Sequence, residues 1–155
     1  MPDKLPNLDP AKWIWYPSER CLQNTFVLFR RDLNLSTIPE KATGWILADS
    51  RYRLFVNGER VQWGPAPCDP RWMEVDPLDL GSKLRKGKNV IGCEVLFYGR
   101  GDGTWPLGKP GFLFWLEIES ENGKKEIIAS DTAWRCLLAR CWKPGHYTRW
   151  YLRAL

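Results

Sequence analysis

Apolar and polar positions alternate along this chain with the two-residue period of β-strands. TFVLFRRDLNL (25–35) alternates through Phe29, Asp32 and Leu33, and GWILADSRYRLFVNGERVQWG (44–64) holds two strand-length runs, the second bent at Asn57-Gly58. An Asn-Gly step tolerates the positive φ that a tight type I′ turn demands, so Arg53–Val56 is expected to pair with Glu59–Trp63. KNVIGCEVLFYG (88–99), GFLFWLEIES (111–120), KKEIIASD (124–131) and WRCLLARC (134–141) are further strand-length runs bounded by Gly, Pro, Asn or Asp. ENGKK (121–125) supplies a second Asn-Gly hairpin between Ile118 and Ile127. Helical character is confined to PLDLGSKLRKG (77–87), which Gly81 limits to about one turn. Many short strands with frequent turn signals predict an all-β fold, an antiparallel jelly-roll β-sandwich.

Composition narrows the class. At 155 residues the chain fits one domain with a core of its own. The net charge of +5 comes from 23 basic and 18 acidic residues that are largely interspersed, which reads as a mixed solvated surface and not as a nucleic-acid groove. KLRKGKN (83–89) is polar because it forms a turn leading into a strand. No run approaches the roughly 20 apolar residues of a membrane span, and the N-terminus lacks the pattern of a signal peptide. The five cysteines show neither CxxC spacing nor a Cys/His zinc pattern, and Cys93 and Cys136 sit within apolar runs as small buried thiols. A reducing, cytoplasmic setting is therefore favoured, with no metal and no cofactor expected. The anomaly is tryptophan, at 10 residues.

Little in the chain carries catalytic chemistry. Its one histidine, His146, lies in a Pro- and Gly-rich C-terminal loop and reads as an exposed polar residue, not as a base. Asp69, Asp76, Asp79, Asp102 and Asp131 are candidate carboxylates by residue type alone, and each is equally a turn former or strand-end cap. YGRGDGTWPLGKPG (98–111) is glycine-rich but lacks the GK[ST] ending and following helix of a phosphate loop. Aromatic platforms are the stronger option, because flat rings stack on sugar C–H groups while flanking polar side chains bind hydroxyls. Trp63, Trp72, Tyr98 and Trp105 fall at predicted loop ends, with Asp69, Arg71, Arg100 and Asp102 beside them. These eight are the candidate contacts to a carbohydrate or to a neighbouring domain. Trp13, Trp15, Trp45, Trp115 and Trp134 are assigned to the core or to strand faces. WGPAPCDPRWMEVDPLDL (63–80) reads as the exit of the hairpin strand and an ordered crossover stiffened by its prolines.

The order of these motifs resembles a known family. WIWYP (13–17), FVLFRRDLNL (26–35), ADSRYRLFVNGERVQWGPAPCDPRWMEVDPLDL (48–80), LRKGKNVIGCEVLFYG (84–99), GFLFWLEIE (111–119) and SDTAWRC (130–136) together resemble the N-terminal β-sandwich domain of bacterial α-L-rhamnosidases, glycoside hydrolase family 78. The resemblance implies a galactose-binding-like jelly roll. It also implies that the carboxylates which cleave rhamnosides, by inversion, reside in a separate (α/α)6 barrel, so this chain is expected to be a non-catalytic accessory domain. Sibling domains of the parent enzyme and a rhamnose-containing glycan are the implied partners, with neither nucleic acid nor membrane. Some sandwich modules of this broad group hold rhamnose through calcium; here the GRGDGTW and CDPRW loops bring one carboxylate each, and no metal site is assigned. The expected organisation is an N-terminal extension (1–24) packed on the sandwich (25–142), and a C-terminal aromatic and basic segment (143–155) leading to a downstream domain.

Overall fold

The computed structural model describes residues 7–18, 21–99 and 108–145. Among the described residues nine strands run in chain order: β1 Thr25–Leu35, β2 Pro39–Asp49, β3 Arg51–Val56, β4 Glu59–Gly64, β5 Asp76–Asp79, β6 Gly87–Phe97, β7 Gly111–Ser120, β8 Lys125–Ala129 and β9 Arg135–Leu138. They form two antiparallel sheets, β4-β3-β6-β1-β9 and β5-β2-β7-β8, stacked as a β-sandwich of the expected jelly-roll class. The inward positions of both sheets supply the core. Val27, Phe29, Leu54, Val56, Ile91, Cys93 and Val95 come from the first sheet, and Ile46, Phe112, Phe114 and Leu116 from the second. Phe112 stacks on Phe29 across the sandwich at 4.9 Å between ring centroids, and Trp134 meets Phe112 edge-on at 5.2 Å.

The two Asn-Gly turns close the β3–β4 and β7–β8 hairpins. Asn57 (φ 53°) and Gly58 (φ 88°) both adopt the left-handed conformation that this turn requires. The pairing then departs from a simple ladder. A bulge between Leu54 and Phe55 sets Leu54 opposite Gln62 and Arg53 opposite Trp63. Asn89, buried at the start of β6, binds the hairpin turn to the KLRKGKN turn: its Oδ1 accepts from Asn57 Nδ2 and from the Arg85 amide, and its Nδ2 donates to the carbonyls of Arg85 and Gly87.

The helical reading of PLDLGSKLRKG is corrected. Asp76–Asp79 is strand β5, the edge partner of β2, and only a 3-10 turn at Gly81–Lys83 follows. Leu78 and Leu80 alternate into the core, and a free strand edge on β2 offered hydrogen bonds that a single helical turn could not match. Tyr52 ties this edge to the other sheet, since its buried hydroxyl donates to Asp76 Oδ2 at 2.6 Å and accepts from Gln62 Nε2 at 2.8 Å. Burial, and after it the Asp76 contact, pushes the Tyr52 phenol well above its ordinary range.

The described part of the N-terminal segment extends the second sheet. Ile14 bridges Phe112, the Lys12 amide donates to the Ser130 carbonyl at 2.7 Å, and Ser130 Oγ donates to the Lys12 carbonyl at 2.6 Å. Among the tryptophans assigned to core or strand faces, Trp134 is buried, Trp15 packs against the core, and Trp45 and Trp115 lie half-buried. Trp13 differs, remaining 39% exposed, with its indole directly over Gly111 and its Nε1 donating to the Pro110 carbonyl. All five cysteines are free thiols; Cys93 is buried, whereas Cys136 is only half-buried because its strand lies at the sheet edge.

Candidate functional site

Register on the first sheet builds one concavity on its outer face. Trp63 stands opposite Arg53, Arg53 opposite Glu94, Glu94 opposite Leu28 and Leu28 opposite Leu137, so one row of outward side chains crosses all five strands. Trp63, at the end of β4, is 69% exposed. Beside it Arg53 Nη2 donates to Glu94 Oε1 at 2.5 Å, an ion pair whose carboxylate is mostly shielded from solvent. The neighbouring row pairs Arg51 with Leu96 and Leu96 with Phe26. Together with Tyr98 these residues enclose about 340 Å³ of open concavity: an aromatic wall, a polar floor and an apolar end. Arg51 donates through Nη1 to the Pro65 carbonyl, which fixes its guanidinium at the rim. Phe26 is held from behind by Trp142, stacked at 5.1 Å.

A second concavity, about 500 Å³, lies at the loop end of the sandwich between Trp13, Leu47, Met73, Arg71 and Lys109. Arg71 is clamped onto Asp69 by bonds from Nε and Nη2, and the Arg71 amide also donates to Asp69 Oδ1. That guanidinium, before the backbone contact, holds the Asp69 carboxyl down to about 2. Asp69 is thus a turn former charged at neutral pH. Asp79 and Asp131 accept backbone amides two residues on in the same way.

Between the two concavities lies a buried carboxyl that the sequence did not single out. Asp49 is 7% exposed; one oxygen accepts from Ser50 Oγ, while Oδ2 is buried without a hydrogen-bond partner and packs against Gly108. Desolvation outweighs the help of Ser50 and of the Lys109 amide, and pushes the Asp49 carboxyl above its ordinary value. Ser50 Oγ in turn accepts from the Tyr98 amide, so this carboxyl anchors the segment that carries Tyr98.

The eight sequence candidates therefore divide. Trp63 and Tyr98 share the sheet-face concavity, Arg71 borders the loop-end one with Asp69 as its counter-ion, and Trp72, 79% exposed, projects from the loop and lines neither. Arg100, Asp102 and Trp105 lie outside the described residues, as does His146. Arg53, Glu94 and Leu96 went unnoticed because they read as ordinary strand residues; only strand register reveals that they surround Trp63. Among the described residues, no three His, Cys, Asp or Glu side chains converge as metal ligands.

Comparison with known proteins gives a consistent answer. The family model described as the α-L-rhamnosidase N-terminal domain matches residues 38–148. A curated α-L-rhamnosidase of Streptomyces avermitilis is 25% identical over 134 residues, which cover 84% of this chain but 12% of that protein. The crystal structure of a family 78 rhamnosidase from Bacillus sp. GL1 superposes with a TM-score of 0.77 at 34% identity, over 89% of this chain and 14% of that one. A lectin of Pleurotus ostreatus shares the fold, with a TM-score of 0.67 at 23% identity over 88% of this chain and 36% of its own.

Proposed function

The chain belongs to the α-L-rhamnosidase N-terminal domain family and is an accessory β-sandwich of that kind, and we propose that it carries no catalytic group of its own and seats the catalytic body of a glycoside hydrolase against its outer faces. The observation that carries this reading is the family match over residues 38–148; the Streptomyces and Bacillus relatives are proteins of which the chain spans only 12–14%. The surface supports it. Leu28 and Leu137 stand exposed in one row of the first sheet, and Gly92, lacking a side chain, leaves an apolar groove of about 300 Å³ between Leu28 and Phe55. Exposed apolar ground of this kind is what a sibling domain would cover. The test is turnover: the 155-residue chain incubated with an aryl α-L-rhamnoside is expected to release no phenol above the buffer rate. Release that scales with chain concentration would overturn the non-catalytic reading.

A second reading, a carbohydrate-binding module, is favoured by one feature. The indole of Trp63 is open to solvent on rigid strands beside a preformed ion pair, an arrangement that packing within this domain does not call for.

A further inference from the structure

We propose that Asn122, at the tip of the β7–β8 hairpin, is a self-modification site: its side-chain amide is lost to water and the residue becomes a mixture of aspartate and isoaspartate. Asn57, in the same Asn-Gly setting, is protected by the fold. This inference goes beyond the accessory reading and does not depend on it.

The chain holds six asparagines, of which two, Asn57 and Asn122, precede glycine. The chemistry favours that neighbour, because the backbone nitrogen of the following residue attacks Asn Cγ and a side chain there would stand in the path of the closing ring. A Cβ built at Gly123 meets nothing within 4 Å, so the turn is open to water on that side. Asn122 is itself exposed, and its Nδ2 has no hydrogen-bond partner among the described residues. Its Oδ1 accepts from the Lys124 amide at 3.1 Å, a donor aimed at the oxygen where negative charge grows during attack. One bond resists: the Gly123 amide donates to the Ser120 carbonyl at 2.8 Å and must leave it to attack. That bond lies at an exposed hairpin tip leading into an edge strand, where local opening costs least.

The step balances without oxidant or reductant. Hydroxide removes the Gly123 amide proton, the nitrogen forms a bond to Asn122 Cγ, the Cγ–Nδ2 bond breaks, and ammonia leaves with a proton from water. Water then opens the cyclic imide. Opening at Cγ gives aspartate with the backbone intact. Opening at the backbone carbonyl gives isoaspartate, whose extra main-chain carbon falls inside the turn closed by the Ser120 amide and the Lys124 carbonyl. Either product lowers the chain's formal charge of +5 by one.

Asn57 shows what protection requires. It too accepts on Oδ1, from the Val90 amide at 3.0 Å, but its Nδ2, the leaving group, donates to the Lys83 carbonyl at 3.1 Å and to Asn89 Oδ1 at 3.0 Å. Turning this half-buried side chain onto the Gly58 nitrogen breaks all three bonds. Ring closure at Asn57 is therefore slower than at Asn122 by about tenfold or more.

To test this, the 155-residue chain is held in mildly alkaline buffer, folded in one arm and unfolded in guanidinium chloride in the other. Aliquots are digested with pepsin in acid, which stops the reaction. Mass spectrometry follows the exchange of NH2 for OH at each asparagine, and enzymatic methylation from S-adenosylmethionine scores isoaspartate. In the folded chain Asn122 is expected to convert to both products, faster as hydroxide rises and well ahead of Asn57, whereas in guanidinium the two sites convert at similar rates. Asn122→Gln, whose ring would need one more carbon, stays unmodified over the same interval with the fold intact. Equal rates at the two sites in the folded chain, or an Asn122 still intact when the unfolded chain has fully converted, would overturn the proposal.

Discussion

Asn89→Ala is the substitution through which the hairpin logic of this sandwich can be weighed. Asn89 is 1% exposed and makes four hydrogen bonds, to Asn57 Nδ2, the Arg85 amide, the Arg85 carbonyl and the Gly87 carbonyl, at 2.6–3.0 Å. Each buried bond contributes about 1 kcal/mol net, and a buried partner left unsatisfied costs about 1–3 kcal/mol. Arg85 lies at the surface and Gly87 is half-buried, so water can reach part of the orphaned backbone, and Asn57 Nδ2 retains the Lys83 carbonyl at 3.1 Å. The estimate is therefore about 3 kcal/mol, toward the lower end of the summed range. In a chain of this length that corresponds to a fall in melting temperature of roughly 6–12 °C. Thermal unfolding followed by circular dichroism, together with a urea titration at constant m-value, reads the change. The internal control is Asn122 in the other Asn-Gly turn, whose side chain makes one exposed bond, to the Lys124 amide at 3.1 Å; Asn122→Ala is expected to cost about 0.5 kcal/mol or less. Equal losses at the two sites, or a loss below about 1 kcal/mol at Asn89, would refute the claim that this side chain clamps two turns together.

Asp49→Asn is expected to stabilise the fold in a pH-dependent way. Burial raises the folded Asp49 above the ordinary 3.8 that it regains on unfolding, so the folded chain holds that proton more tightly. Stability is therefore lost as pH rises through the ordinary aspartate range toward the folded value. The melting temperature of Asp49→Asn should match that of the native chain near pH 3 and exceed it at pH 7; a constant difference across that range would contradict the desolvation account. Two glycines should respond differently to alanine. A Cβ on Gly44 would lie 2.0 Å from the Trp115 carbonyl oxygen in the ladder between β2 and β7, so Gly44→Ala should cost several kcal/mol or prevent folding. Gly58 has open space around it but a φ of +88°, so Gly58→Ala should cost only about 1 kcal/mol, and denaturant titration of both variants checks the order.

The strand runs were legible wherever alternation, β-branched or aromatic residues and a turn signal agreed. TFVLFRRDLNL and GFLFWLEIES match β1 and β7 residue for residue, and both Asn-Gly hairpins form. The opening of β2 at Pro39–Thr43 carries no strand signal, because PEKAT lacks the apolar alternation that marks one, and the sequence around β5 favours a helical turn. In both places local propensity is weak and the partner strand decides, since a backbone edge left unpaired in the second sheet would cost more than the segment's own preference is worth.

The candidate site was legible as residue types but not as a constellation. Tryptophan excess and loop-end aromatics pointed to Trp63 and Tyr98, while Arg53 and Glu94 are indistinguishable in sequence from solvated strand charges. A plain two-residue hairpin at Asn57-Gly58 would place Gln62 opposite Arg53. The bulge places Trp63 there instead, and turns Gln62 inward to Tyr52. One extra residue in one strand thus decides which side chain faces the Arg53–Glu94 pair, because successive side chains of a strand point to opposite faces. The periodicity, turn residues and motif order of the chain determined by themselves its class, most of its strands and its family resemblance, all of which rest on local chemistry. Strand register, edge pairing and the burial of Asn89 and Asp49 were decided by the tertiary structure, because each depends on which distant segment arrives opposite, and no neighbour along the chain carries that information.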